Sequence, residues 1–379
     1  MRFSAATPNS SLHMVLGADR APLKEDSFHA VISLERKRTE RSKRPFLLML
    51  LDVENITARD KHGKKVSKIL SAISSSTRGT DISGWYKNNA VIGILFTEIG
   101  DDPRKGTVGA MLARVKGILY STLSFEEFNH ITISHYIFPE KWDHDVQQRP
   151  SHPTLYPDVS QRENMRKGFS IIKRIIDVVG SVVGLILCAP LFGLIAAAIR
   201  LTSKGPVFFR QQRVGRYGTP FVFLKFRSMK IDNDAQVHRE YVEQLIAGKA
   251  EPHSSNGSAQ GVYKITNDPR VSSVGSFLRR TSLDELPQLW NVLKGEMSLV
   301  GPRPAIPYEV EAYQIWHRQR VLEAKPGITG LWQVSGRSRV KFDEMVRLDV
   351  RYAMVPSIWL DIKILLLTPW SVIIGEGAY

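Results

Sequence analysis

Two apolar rhythms alternate between residues 45 and 138. Unbroken apolar runs over 46–53 and 90–96 predict buried strands, and 131–137 predicts another. Helical spacing recurs over 66–74 and 108–120, between those runs. Strands alternating with helices predict an α/β domain over 45–138, preceded by an N-terminal extension over 1–44. The chain then turns polar over 139–165, where Pro150, Pro153 and Pro157 stand among charged residues, and this predicts an extended linker.

The next apolar stretch differs in kind. No charge occurs from Val178 to Ile199, and about 22 residues of helix would extend about 33 Å, enough to cross a bilayer core. Pro190 falls inside this run, where it removes the hydrogen bond to the carbonyl of Ile186 and its ring crowds that turn, so a kink or break is expected. Basic residues flank both ends: Lys167, Lys173 and Arg174 before it, Arg200, Lys204, Arg210 and Arg213 after it. Basic flanks stay on the cytoplasmic side, so the segment is read as re-entrant, bending back at Pro190; a kinked spanning helix and a buried core helix are the alternatives. A second soluble region over 201–352 is expected next, interrupted by a polar Ser-, Gly- and Ala-rich stretch over 248–261 that predicts a mobile loop. Residues 358–374 mix Trp359, Leu365, Leu366 and Trp370 with polar groups in the manner of an interfacial segment.

Composition narrows the choice of partners. A net charge of +15 draws polyanions, whether nucleic acid, anionic lipid or phosphorylated substrate. The cations gather around the apolar segment without any zinc-finger, helix-turn-helix or aromatic RNA-binding pattern, so no nucleic-acid partner is expected. The single cysteine, Cys188, excludes an intramolecular disulfide and a cysteine zinc site. The opening Met1-Arg2-Phe3-Ser4 carries no apolar leader core, and everything before the apolar run is expected to be cytoplasmic.

Candidate chemistry concentrates in Arg279-Arg280-Thr281-Ser282-Leu283-Asp284-Glu285-Leu286-Pro287. Ser282 with Glu285 three positions on has the form of a capping box, apolar residues continue at helical spacing through Leu293, and Gly295 would end the helix. A helix cap accounts for that pattern by itself. The neighbourhood adds more: Arg279 and Arg280 before it and Gly301-Pro302-Arg303-Pro304 after it can bring guanidinium groups to a helix start that already favours anions, a combination suited to a diphosphate. There Asp284 would stay ionised and, with Glu285, can hold a divalent cation that lets an anionic nucleophile approach phosphorus. Upstream, the 204–215 block and Lys225-Phe226-Arg227-Ser228-Met229 put cations beside aromatic residues, as expected next to a membrane surface.

From about Lys173 to Tyr352, the order and spacing of such blocks resemble the bacterial sugar transferase family, the monotopic phosphoglycosyl transferases. The blocks are Lys173-Arg174-x-x-Asp177, Gly205-Pro206 to Gly215, Lys225 to Met229, Thr266-Asn267-Asp268-Pro269-Arg270, Asp284-Glu285, Ser298-Leu299-Val300-Gly301-Pro302-Arg303-Pro304 and Lys325-Pro326-Gly327-Ile328-Thr329-Gly330. The resemblance implies a domain over 166–379: a re-entrant membrane helix at about 175–199, then a mixed α/β catalytic domain with interfacial amphipathic helices. It implies transfer of a sugar 1-phosphate from a UDP-sugar to undecaprenyl phosphate, with UMP released and Asp284 forming a phosphosugar-aspartyl intermediate. Glu285 and Asp284 would hold Mg2+, while Arg279, Arg280, Arg303 and Lys225 would hold phosphate oxygens. The protein is then expected among lipids at the cytoplasmic face of a bacterial inner membrane, opening exopolysaccharide or glycoconjugate synthesis. Family members often carry a serine before the helix-breaking proline, and here Ala189 stands there. No motif selects the sugar. The competing reading is a non-enzymatic membrane receptor, which would not require the intact Asp284-Glu285 pair and its arginines.

Residues 45–100 are similar to the GGDEF nucleotide-cyclase domain, a ferredoxin-like α/β fold. Asp52 ends the first strand where that family's metal aspartate would. Lys87-Asn88-Asn89-Ala90-Val91 falls at the signature hairpin without the signature's glycines and acids. The resemblance therefore implies a degenerate domain without cyclase activity. Arg78 and Asp81, just before the hairpin, would either form an inhibitory-type site for a cyclic dinucleotide, with Arg78 on phosphate, or stabilise a loop in a domain used for contact or homodimer formation.

Overall fold

The computed structural model describes residues 22–60, 62–97, 99–100, 106–140, 152–229, 236–249, 270–336 and 340–373. Thr266 to Pro269 and most of the 248–261 stretch lie outside them.

Strand β1 (Phe46–Asp52) is apolar up to its last residue, and every side chain but Asp52 is buried. Such a run requires cover on both faces of its sheet. The first unit supplies it with α1 (Glu25–Ser42), α2 (Lys64–Ser76), β2 (Ile82–Lys87), β3 (Val91–Phe96), α3 (Thr107–Thr122) and β4 (Thr132–Phe138). The strands lie in the order β2-β3-β1-β4, each pair antiparallel, with Leu50 opposite Gly93 on one side and Ser134 on the other. On one face Ile69 and Ile73 of α2 and Val115 and Leu119 of α3 pack with Leu47, Met49, Leu51, Ile92 and Ile94. On the other face Phe28 of α1 lies over Gly84 and Gly93, where a Cβ would come within 2.7 and 2.2 Å of its ring. The strand glycines therefore make room for an aromatic side chain.

Three features differ from the sequence expectation. Helix α1 lies in the stretch read as an extension, β2 lies where no apolar run marks a strand and only the hairpin resemblance points to one, and Pro153–Asp158 of the expected linker belongs to the first unit. Gly84 interrupts the apolar alternation of β2 to admit Phe28, and α1 is largely charged, so neither carries a strong pattern. Leu155 and Tyr156 are buried despite their charged surroundings; Tyr156 stacks under the Arg36 guanidinium, and Arg36 pairs with Asp158.

In the second unit, which takes up the chain from Val159, the first long helix is α4 (Lys167–Thr202). The unit continues through β5 (Phe208–Val214), β6 (Pro220–Phe226), α5 (Gln236–Ile246), α6 (Ser273–Arg280), α7 (Gln288–Lys294), β7 (Ser298–Val300), α8 (Pro307–Glu311), α9 (Gln319–Glu323), β8 (Gly327–Thr329), α10 (Phe342–Met354) and α11 (Ile358–Ile373). Among the described residues α4 is the one helix long and apolar enough to cross a membrane, by length and composition. It stays helical through Pro190, so the expected break is not an interruption of the helix. A lone proline deletes a single donor, and its fixed φ is compatible with continued helix.

Both ends of α4 are anchored in this unit. Lys173 Nζ donates to the Val300 carbonyl at 3.0 Å and pairs with Asp361 at 2.7 Å. Arg174 donates to the carbonyls of Val292 and Leu293, a cation on the open C-terminal end of α7. Asp177 accepts from Ser298 Oγ and the Leu299 N–H. The Lys-Arg-x-x-Asp block is thus a clamp. Toward the other end, Ile195 and Ile199 are buried with Phe226 and Leu278. Between the anchors Ile186 and Leu187 are exposed, Leu187 to 74%. Helix α11 has a similar character: Asp361 is buried against Lys173 while Trp359, Leu366 and Trp370 face outward.

The glycine-bearing blocks meet through their backbones. Gly301 N–H donates to the Thr329 carbonyl and Gly327 N–H to the Pro302 carbonyl, both at 2.8 Å. A Cβ on Gly327 would sit 2.1 Å from the Gly301 nitrogen. Only glycine permits that approach, and it seats the Arg303 loop on β8.

Candidate active site

Strand alternation places Lys225. In β6, Phe221, Phe223 and Lys225 share a face, and the two rings are buried with Val292 of α7 and Met297, while Phe226 turns the opposite way toward Leu278. The ammonium lies 5.5 Å from the Phe223 ring centroid.

Asp284 reaches it from a tight turn rather than a helix start. Helix α6 ends at Arg280, Ser282 adopts a left-handed conformation (φ 56°), Leu283–Glu285 form one 3-10 turn, and α7 begins after Pro287. The expected capping box is absent. Ser282 makes no side-chain cap bond, and the Glu285 carboxylate is engaged by Lys225, with Nζ 3.0 Å from Oε1. Gly295 does end α7, at φ 86°. Leu283 and Leu286 pack against the Phe226–Leu278 cluster on either side of Asp284, which is 5% exposed. Lys225 Nζ stands 3.7 Å from Asp284 Oδ2.

One ammonium therefore serves two adjacent carboxylates, and they respond in opposite directions. Burial pushes the Asp284 carboxyl above its usual range against the pull of Lys225, and the charge of Glu285 adds to the rise. Burial also opposes ionisation of Glu285, but Lys225, through charge and hydrogen bond, with Arg303 and Arg213 behind it, holds that carboxyl below its usual range. The dyad is one ionised acid beside one reluctant acid.

The structure brings most of the expected cations to this dyad. Arg279 Nε donates to Ser228 Oγ at 2.9 Å, and its charge acts on Asp284. Arg303 is exposed and acts on Glu285. Arg280 is exposed at the end of α6. Two residues with no assigned role hold the Arg303 loop from beneath. Arg213, pushed down to about 10 by burial and then by Arg303, donates to the Pro304 carbonyl at 2.8 Å. Arg320, paired with buried Asp349 at 2.7 Å, donates to the Arg303 carbonyl at 3.2 Å. Arg213 lies inside a recognised block, whereas Arg320 and Asp349 carry no sequence signal.

The dyad also fits a magnesium ion, which takes one or two carboxylates and completes its shell with substrate phosphate oxygens and water. No cluster of three or more acidic, His or Cys ligands occurs among the described residues.

Arg78 and Asp81 form a different arrangement. Asp81 Oδ2 accepts from the Arg78 backbone N–H at 2.7 Å, closing a turn in which Arg78 is exposed. Burial raises the Asp81 carboxyl, against the backbone hydrogen bond and charge of Arg78.

Residues 168–375 match the family described as Bacterial sugar transferase. Galactosyl transferase CpsE of Streptococcus agalactiae is 45% identical over 209 residues, covering 55% of this chain and 43% of that protein. Undecaprenyl-phosphate galactose phosphotransferase of Salmonella typhimurium is 43% identical over 220 residues, covering 58% and 44%. UDP-glucose:undecaprenyl-phosphate glucose-1-phosphate transferase of Klebsiella pneumoniae is 34% identical over 311 residues, covering 78% and 61%. The chain thus spans less than half the length of the first two relatives. A solved DGC protein from Thermotoga maritima, 17% identical, covers 32% of this chain and 87% of its own with a TM-score of 0.27, a likeness too slight to assign a function to the first unit.

Proposed function

We propose, because this chain belongs to the bacterial sugar transferase family, that it transfers a sugar 1-phosphate from a UDP-sugar to undecaprenyl phosphate at the opening of exopolysaccharide or glycoconjugate synthesis. The observation that carries this reading is the buried Asp284 beside an ionised Glu285, both within reach of Lys225. A carboxylate oxygen of Asp284 bonds to the β-phosphorus as the bond from that phosphorus to the bridging oxygen breaks, and UMP leaves with that oxygen and its electron pair. An oxygen of undecaprenyl phosphate then bonds to the same phosphorus, and Asp284 departs as a carboxylate, leaving a lipid diphosphosugar. Arg279, Arg303 and Lys225 offset the charge that makes an anionic nucleophile and a diphosphate repel. Glu285 and Asp284 would hold Mg2+, which when bound supplies further charge neutralisation.

The reading includes a monotopic placement at the cytoplasmic face of the inner membrane, with α4 entering and returning at Pro190. Its support is that the anchors near Asp177, on β7, and near Ile199, on β6 and α6, both dock on the same soluble unit, which a spanning helix would separate by the bilayer. With Cys188 replaced by alanine, Lys167→Cys and Lys204→Cys should both react with an impermeant thiol reagent in inside-out vesicles only. Labelling of either from the outer side would refute the placement. For the first unit, the β-α-β-β-α-β order with its β4-β1-β3-β2 sheet supports a ferredoxin-like reading.

The decisive experiment offers purified full-length protein a panel of UDP-sugars with undecaprenyl phosphate. UMP is measured, and the protein trapped without acceptor is mapped by mass spectrometry. One sugar should release UMP and leave a phosphosugar on Asp284; no UMP with any sugar, or an adduct elsewhere, would end the assignment.

A further inference from the structure

The Arg303 loop leads directly into a cavity of about 460 Å³ that the phosphate chemistry does not use. It is lined by Arg239, Glu243 and Ile246 of α5, by Tyr308 and Glu311 of α8, and by Ala312 just after it. Helix α8 follows the loop immediately, and Arg213, which holds the loop through Pro304, acts by charge on both Tyr308 and Glu285. The cavity and the dyad are therefore both neighbours of one cationic loop.

The lining differs from that loop in sign. Arg239 is flanked by Glu243 at 3.0 Å and Glu311 at 3.8 Å, and its guanidinium stands 5.9 Å from the centre of the Tyr308 ring. Two carboxylates against one guanidinium disfavour phosphate, whereas an aromatic wall with Ile246 and Ala312 beside it favours a flat, neutral ring. A uracil edge presents acceptor, donor, acceptor: guanidinium N–H groups match its carbonyl oxygens and a carboxylate matches its ring N–H. The remaining carboxylate suits a ribose diol.

Resting on the transfer reading above, we propose that the Tyr308–Arg239 cavity binds the nucleoside of the UDP-sugar, with the base against Tyr308 and the diphosphate on the Arg303 loop. In-line displacement requires UMP to leave on the side away from Asp284, and the cavity is lined by none of Asp284, Glu285 and Lys225, so a nucleoside seated there stays apart from the nucleophile.

The test measures UMP and pyrophosphate binding to full-length protein by calorimetry, alongside steady-state UMP release. Tyr308→Ala should weaken UMP binding about tenfold or more through lost base stacking. It should raise KM for the UDP-sugar by a similar factor with kcat changed less, and leave pyrophosphate binding unchanged. Tyr308→Phe keeps the ring and should bind UMP as the unaltered protein does. Equal loss of UMP and pyrophosphate affinity would show that Tyr308 acts on the loop's fold. Unchanged UMP affinity with weakened UDP-sugar affinity would put the sugar in the cavity. Either result overturns the proposal. Because UMP binding requires no turnover, a protein that binds UMP through Tyr308 yet releases none from any UDP-sugar would defeat the transfer reading while leaving the cavity assignment standing.

Discussion

Asp284 and Asp81 each stand within a few positions of an arginine, and burial raises both carboxyls. Their partners differ. Asp81 is satisfied by backbone N–H groups, those of Arg78 and Thr97, which cannot move without moving the turn. Asp284 and Glu285 share a side-chain ammonium from a strand 60 positions before Glu285, with three arginines, Arg279, Arg303 and Arg213, acting on them from other elements. A carboxylate bonded to backbone is part of the scaffold. One that shares a side-chain cation can exchange that cation for substrate phosphate or a metal.

The sharpest way to break this contrast is to change both acids. Asp284→Asn should lower UMP release at least about a thousandfold, as loss of a covalent nucleophile does, while Asp81→Asn should leave it within about twofold. Equal losses would show that partner type does not separate the two. Next in size is the support under the Arg303 loop. Asp349→Leu leaves the Arg320 guanidinium buried without its partner, a loss of roughly 3–5 kcal/mol that should appear as a lower unfolding midpoint. The double change with Arg320→Met should recover much of it; no recovery would mean that the pair is not what holds the loop. Smallest is Lys225→Met, expected to slow turnover about a hundredfold, the low end of the range for one lost electrostatic donor. The reactive form of Asp284 is the carboxylate, so activity falls as pH falls through its raised pKa. Removing the cation raises that pKa further, and the acid limb of the pH–rate profile should move to higher pH. A limb that stays in place would detach Lys225 from Asp284.

Legibility in the sequence followed the range of the interaction. Strands β1, β3 and β4 and helices α2 and α3 announce themselves because their burial is continuous or periodic along the chain. Strand β2 and helix α1 do not, because each is explained by the other: Gly84 looks like a weak strand residue until Phe28 is laid over it. The site residues Asp284, Glu285, Arg279, Arg303 and Lys225 were visible as blocks, but the Ser282–Glu285 spacing suggested a cap that the fold replaces with a left-handed residue and a 3-10 turn. The reason is competition, since Glu285 gains more from Lys225 than from a backbone N–H.

The amino-acid order alone determines the apolar length of α4, the basic residues at both of its ends and the adjacency of two acids. These are properties of neighbouring residues and need no folding to exist. Which acid is pushed up and which down, which arginines hold a loop and which face outward, and that both ends of α4 rest on the same unit were decided only by the tertiary structure. Desolvation and charge pairing depend on distances through space, and residues far apart in the chain, Lys225 about 60 positions before the two acids among them, set those distances here.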